Sequence, residues 1–342
     1  MSKNVLVTGG AGFVAHHVIY HLLKNTDWNI VSLDRLDFSG NLNRLADMMQ
    51  EFEPDTRKRL KVVFHDLRAE MNPLVRREVG DINYVLHLAA GSHVDRSIDY
   101  PMEFVLDNVV GTCNILNYAR DLPNLERFIY FSTDEVFGPA PVGVDYLERD
   151  RFNSSNPYSA TKAGGEELAV AFENTYKMPI YITHTMNVFG QRQHPEKFIP
   201  MCIRKAHDGE AITIHSDSTR TIPGSRHYIH AADVADAMQF LLLLDDSRLE
   251  EDYGGAKCPK FNLVGAEEID NLTLARLIAG AQNRELKYDM VDFHSSRPGH
   301  DLRYSLSGEY MKSLGWVPRV SLSERISEVV NWTLANERWL RC

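Results

Sequence analysis

Two short stretches hold the side chains that can move protons. Ser132-Thr133-Asp134-Glu135 sets a hydroxyl beside two carboxyls, and Tyr158-Ser159-Ala160-Thr161-Lys162 sets a phenol four residues before an ammonium. Residues four apart on a helix share a face, so Tyr158 and Lys162 form a pair. A phenol beside an ammonium, facing a hydroxyl and two carboxyls, is a set of groups for taking and giving protons. Helical coincidence can produce the Tyr/Lys pair, and acidic pairs are common in loops. Position decides.

The surrounding sequence puts both stretches at the ends of elements. Phe128-Ile129-Tyr130-Phe131 is apolar and aromatic and predicts a buried parallel strand. Thr133, Asp134 and Glu135 then fall at its C-terminal end, where open α/β sheets place their chemistry. Asn153-Ser154-Ser155-Asn156-Pro157 is a helix-start signal, with polar caps and a proline for the first turn. The helix it opens runs to about Tyr176.

The preceding elements offer a nucleotide cradle. Asn4-Val5-Leu6-Val7 predicts a strand, followed directly by Thr8-Gly9-Gly10-Ala11-Gly12-Phe13-Val14-Ala15. Gly9 and Gly12 supply the tight turn and close backbone approach that a pyrophosphate needs, and Ala15 lets helix pack on strand. Phe13 and Val14 open a helix whose N-terminus faces the phosphates. Asp34 ends the next strand and is placed to accept from an adenosine ribose, which favours NAD over NADP; Arg35 beside it could instead meet a 2′-phosphate. A third strand ends at His65-Asp66-Leu67, where Asp66 and Leu67 flank an adenine or Asp66 caps the next helix. A fourth ends in Ala89-Ala90-Gly91, whose small side chains leave room for a cofactor. A long helix over about 102–120 follows, with Asn108 as a structural residue on it. Strands alternate with helices as far as Ile180-Tyr181-Ile182-Thr183-His184. The fold class is therefore α/β, a Rossmann-type doubly wound parallel sheet with right-handed crossovers.

Beyond Gly190 the alternation breaks down, which predicts a smaller C-terminal α/β domain for substrate. The expected division is 1–186, joined by about 229–257, for the dinucleotide, and 187–228 with 258–342 for substrate. Arg226, Arg297 and Arg303 lie in or beside loops of this region. Singly each reads as a surface charge; together they suit a diphosphate clamp.

The chain's 342 residues are 44% hydrophobic and 25% charged, as in ordinary globular proteins. A net charge of −10 argues against nucleic acid and anionic membrane as partners. The four cysteines show neither metal spacing nor a disulfide framework. The apolar run at 241–244 is too short for a bilayer, and the start of the chain shows no targeting signal. These features predict a cytoplasmic enzyme or binding protein.

The motifs resemble the extended short-chain dehydrogenase/reductase family and, within it, the nucleotide-sugar 4,6-dehydratases, from Val5 to about Trp332. The glycine loop and Tyr158/Lys162 are general marks. More specific are Leu33-Asp34-Arg35-Leu36 with Gly40-Asn41-Leu42, Ser92-His93-Val94-Asp95-Arg96-Ser97, Ser132-Thr133-Asp134-Glu135-Val136, Pro195-Glu196-Lys197-Phe198-Ile199-Pro200 and Arg297-Pro298-Gly299-His300-Asp301. The Asp-Glu pair separates dehydratases from related epimerases and decarboxylases.

The resemblance implies a bound NAD, a nucleotide-sugar substrate and a homodimer through the helices near 102–120 and 158–176. It implies Tyr158 as base at the C4 hydroxyl, with Lys162 and the nicotinamide charge lowering its pKa. Thr133 then holds the C4 oxygen, Asp134 serves as acid and Glu135 as base for elimination. His93, Asn187, Glu196, Lys197, Arg226, Asn262, Arg297 and His300 are the implied substrate contacts. Departures are Gly91, where an acid or amide is common, His184 in place of an arginine, Phe137 and Phe189 in place of tyrosines, and His227-Tyr228 after a longer loop. The rival readings are an epimerase or decarboxylase, and a dinucleotide-binding protein without catalysis.

Overall fold

The computed structural model describes residues 2–37, 39–249, 258–292 and 303–341. Its central sheet is built from β1 (Asn4–Thr8), β2 (Asn29–Asp34), β3 (Leu60–Phe64), β4 (Tyr84–His87), β5 (Arg127–Thr133) and β6 (Ile180–Thr185). A seventh strand, Lys260–Leu263, joins at the β6 edge. All neighbours are parallel, in the order Lys260–Leu263, β6, β5, β4, β1, β2, β3. From β1 the chain walks outward to β3, then crosses back to β4. The reversal between β1 and β4 opens the crevice in which doubly wound sheets bind ligands.

Side-chain alternation buries both faces of the sheet. Val5 and Val7 of β1 pack with Ile19 and Leu22 of helix α1 (Phe13–Asn25) and Met238 of the helix Ala231–Leu242. Leu6 between them points the other way, into a core with Ile115, Leu116 and Phe128. A sheet covered on both sides needs apolar residues at successive positions, which is why its strands read as continuous apolar runs.

Two expectations need correction. The predicted helix over 102–120 is interrupted: Pro101–Phe104 and Gly111–Arg120 are α-helical, and Val105–Val110 between them is a π-helix. Asn108 lies in that wide turn. Its amide donates to the Gly91 carbonyl and to Thr161 Oγ1, and its Oδ1 accepts from the Gly91 backbone N–H. It ties the end of β4 to the Pro157–Tyr176 helix, the structural role expected of it. The second correction concerns residue 258 onward. Lys260–Leu263 belongs to the central sheet, with Asn262 opposite His184, because Phe261 and Leu263 bury completely against its core. A four-residue run offers too little periodicity to declare its sheet.

The smaller unit holds β7 (Asn187–Phe189), β8 (Ile212–Ser216), β9 (Ser225–His230), the strand Glu268–Asp270 and the strand Tyr288–Asp292. β9 lies between β7 and Glu268–Asp270, and β8 pairs in parallel with Tyr288–Asp292. The helices Phe198–Asp208, Asn271–Ala281 and Leu322–Ala335 bury Ile203, Ile278 and Ile326 in its core.

Phe261→Ala should cost about 3–5 kcal/mol, the usual range for a buried phenylalanine. Urea unfolding would measure it; a loss below about 1 kcal/mol would contradict a core position for this strand.

Candidate active site

A cavity of about 420 Å³ opens over the C-terminal ends of the parallel strands. The glycine loop forms one wall. Gly9 has φ +68°, and a Cβ there would lie 2.8 Å from the Ala89 Cα, so only glycine lets β1 and β4 approach this closely. Its N–H donates to the Leu33 carbonyl, and the Gly12 N–H donates back to the Gly9 carbonyl. Helix α1 starts at Gly12 with no side-chain cap and no acid in its first turn. Phe13 and Val14 line the cavity, so the helix presents its positive end to whatever lies there.

Asp34 fixes this loop. Its two carboxylate oxygens accept from the Ala11 and Leu36 N–H groups at 3.0 and 2.8 Å, and burial raises its pKa. Arg44, which the sequence did not single out, braces the same loop. Its buried guanidinium donates to the carbonyls of Ala11, Ser39 and Arg192. Below the crevice a hydrogen-bonded chain stitches β1 to β4. Thr112 donates to the Asn108 carbonyl, so it accepts from His87 Nε2; Nδ1 is then free to accept from Thr8 Oγ1. Burial and the Lys162 charge hold His87 neutral, with its pKa lowered to about 3.

The proton-moving groups meet at the mouth of β5. Thr133 ends the strand, and Asp134–Phe137 turns away as a 3₁₀-helix. Thr133 Oγ1 donates to Asp134 Oδ1 at 3.0 Å, while Asp134 Oδ2 is buried with no hydrogen-bond partner among the described residues. Burial, then the neighbouring Glu135 charge, raises the Asp134 pKa to about 7. Glu135 is only half-buried and accepts from the Asn156 amide at 2.9 Å. Asn156 therefore works twice, as N-cap of the Pro157–Tyr176 helix and as an anchor for Glu135. The capping signal was visible in the sequence; the contact across 21 residues was not.

Tyr158 and Lys162 project from the first turns of that helix. The Tyr158 N–H donates to Ser97 Oγ, and its ring meets Phe104 edge-on at 6.4 Å. Lys162 Nζ donates to the Phe131 carbonyl at 2.6 Å and stands 4.4 Å over the Tyr130 ring. Burial lowers the Lys162 pKa to about 7. The Tyr158 phenol is pushed up, first by burial and then by the Glu135 carboxylate. A buried phenol beside a carboxylate disfavours the phenolate, so the expected lowering rests on the nicotinamide charge and Lys162 acting together.

The expected cofactor residues Gly9, Gly12, Phe13, Val14, Asp34, Asp66, Leu67 and Ala89 all line the cavity with Thr133, Asp134, Glu135, Tyr158 and Lys162. So do His93, Asn187, Glu196 and Lys197. Asp66 also accepts from the Arg68 N–H. Arg226 does not line the cavity; its guanidinium lies over the Tyr304 ring at 4.8 Å, and its charge opposes the rise in the Asp134 pKa. Asn262 is a correction. It is fully buried, bonded to His184, Glu148 and the carbonyls of Tyr146 and Ser307, and does not line this cavity. Arg303 likewise leaves the expected clamp, because Glu268 and Asp145 hold it. Arg297 and His300 lie outside the described residues.

Fold and site together define an extended Rossmann-type protein with a Thr-Asp-Glu and Tyr/Lys constellation. The family model for GDP-mannose 4,6 dehydratase matches residues 6–329, and the chain belongs to that family. It is 36% identical to the low-salt glycan biosynthesis protein Agl12 of Haloferax volcanii, over 98% of this chain and 99% of the relative. It is 35% identical to mouse dTDP-D-glucose 4,6-dehydratase, over 98% and 90%. The NAD-bound structure of DesIV, a dTDP-glucose 4,6-dehydratase from Streptomyces venezuelae, superposes with a TM-score of 0.82 at 31% identity, covering 98% of each chain.

The raised Asp134 pKa has a consequence for stability. Between about pH 4 and 7 the folded chain holds a proton that the unfolded chain has released, so stability falls as pH rises through this window. Asp134→Asn removes the effect. It should be more stable than the parent at pH 8, by on the order of 2–4 kcal/mol, with the gain shrinking toward pH 4.5. A gain in urea midpoint independent of pH would contradict the assignment.

Proposed function

We propose that this protein dehydrates a nucleotide-activated hexose, with dTDP-glucose as the first candidate, to the 4-keto-6-deoxy sugar. The observation that carries the reading is the buried Asp134 carboxyl, its Oδ2 unpartnered among the described residues, beside Glu135 and in the same cavity as Tyr158 and Lys162. The dTDP-glucose choice rests on relatives of that name at 32–35% identity. A plant relative at 32% identity, covered over 48% of its length, acts on UDP-glucose and makes that sugar the second candidate.

The cavity suits NAD. The Gly9–Ala89 contact and the uncapped α1 N-terminus fit a pyrophosphate, and Asp34 fits a ribose diol. Bound NAD would supply an acceptor for the C4 hydride and return that hydride to C6.

The chain's own residues manage the protons. Tyr158 takes the proton of the C4 hydroxyl as the C4 carbonyl forms, and Thr133 holds that oxygen. The phenol of the cofactor-free protein is a poor base, so a cation bound beside it and a protonated Lys162 are needed to bring it into range. Once C4 is a ketone, the C5 proton is acidic. Glu135, half-buried and hydrogen-bonded to Asn156, takes it, and Asp134 gives its proton to the departing C6 hydroxyl, which leaves as water; Glu135, after exchange with solvent, returns a proton to C5 as C6 is reduced. Two adjacent carboxyls of unequal burial separate their pKa values, which keeps one an acid and the other a base. His93, Asn187, Glu196 and Lys197 hold the sugar nucleotide from the other rim. A two-fold dimer through the face bearing the exposed Tyr100, Met102 and Leu106 belongs to this reading.

Without added NAD, dTDP-glucose in heavy water should lose one water and gain deuterium at C5. An unchanged hexose mass with inverted C4 would make the protein an epimerase. Asp134→Asn should slow elimination about 10²–10⁴-fold and spare the first oxidation, so that reduced nicotinamide accumulates in single-turnover absorbance traces. Equal loss of both steps would remove Asp134 from the acid role.

A further inference from the structure

The cofactor end of the cavity carries more positive charge than the Asp34 signal suggests. Arg35 and Arg68 both line it, beside Asp34 and Asp66. An arginine at this place is the usual receptor for the 2′-phosphate of NADP. Arg35 is engaged at all three of its nitrogens, and Arg68 is held at Nε. Asp107, on the π-helical turn Val105–Val110, accepts from both: Arg35 Nη2 donates to Oδ2 at 2.9 Å, and Arg68 Nε donates to Oδ1 at 2.7 Å. Arg35 Nη1 also donates to Asp107 Oδ1, and Arg35 Nε donates to Asp37 at 2.7 Å. The Asp107 side chain is only 10% exposed.

Gly91 explains how Asp107 reaches this position. A Cβ at residue 91 would lie 3.1 Å from the Phe104 ring and 3.3 Å from Asp107 Oδ2. A side chain there would press on both the ring and the carboxylate, and glycine leaves Asp107 its place without that adjustment. The π-helical turn adds the second condition. It carries Asn108 inward to hold the Gly91 backbone while Asp107, its neighbour, faces the arginines. Gly91 and Asp107 act as one device, a missing side chain and the acid that fills its space.

We propose that Asp107 determines cofactor specificity at the adenosine ribose, by occupying the two arginines that would otherwise bind a 2′-phosphate. A third negative group beside Asp34 and Asp107 meets the Asp107 carboxylate and finds Arg35 filled and Arg68 held at Nε, so the 2′-hydroxyl form is selected. This rests on the reading that the cavity holds a dinucleotide, and its readout is binding rather than turnover.

The test incubates the purified full-length protein with equal amounts of NAD and NADP, desalts it and quantifies retained nucleotide by mass spectrometry. The parent should retain NAD almost alone. Asp107→Asn, and separately Asp107→Ala, should raise the NADP:NAD ratio about tenfold to a hundredfold, the effect of freeing one or two charge-assisted hydrogen bonds. Adding Arg35→Ala and Arg68→Ala to Asp107→Asn should return the ratio toward the parent's. An unchanged ratio in whichever Asp107 variant keeps the parent's thermal unfolding overturns the assignment, as does a gain that survives removal of both arginines. If the parent retains neither nucleotide, the dinucleotide reading itself falls and takes the assignment with it.

Discussion

The structure depends on a charge held where charge is costly. Lys162 is buried at the base of the cavity, and its ammonium donates to the Phe131 carbonyl at 2.6 Å, with the Tyr130 ring beneath it. That bond fixes the Pro157–Tyr176 helix against β5, and with it the distance between Tyr158 and the Thr133–Glu135 turn. Desolvation of an ammonium is repaid only through such close contacts. The helix, the strand and the site between them therefore stand or fall together.

One turn further along the helix, a second buried charge system supports the first. Glu166 is fully buried and accepts from Lys260 Nζ at 2.7 Å, while both of its oxygens lie 3.1 Å from His184 Nε2. These partners hold its carboxyl down to about 2 against burial, and its negative charge in turn favours the protonated form of Lys162. His184 is a departure from the pattern the chain resembles, and Asn262 makes room for it by accepting at Nδ1 through its amide oxygen. Each ring nitrogen of the buried His184 needs a partner, Glu166 at Nε2 and Asn262 at Nδ1. That is why the asparagine expected at the sugar is spent in the sheet.

The same trade between neighbours recurs at the nucleotide end, where the glycine at 91 and the carboxylate at 107 share one space. In each case a residue that looks anomalous alone is one half of a contact between distant segments. Arg44 gives a third example, a guanidinium satisfied by three backbone carbonyls from three loops. It carries no motif and could not be singled out by spacing.

The sequence by itself determined the elements whose signals are local. The glycine loop, the acid ending β2, the strand before Thr133 and the Asn-Pro helix start each lie within about ten residues. Backbone sterics, capping and apolar runs act over that range. Those signals were enough to bring Thr133, Asp134, Glu135, Tyr158 and Lys162 to one crevice. The tertiary structure decided what depends on partners far apart in the chain: that Lys260–Leu263 completes the central sheet, that Asn262 and Arg303 are held by buried polar groups and carboxylates, and that the helix over 102–120 widens into a π-turn. It also decided the pKa order. A carboxyl's burial, and the charges packed around it, are set by segments that meet only when the chain has folded.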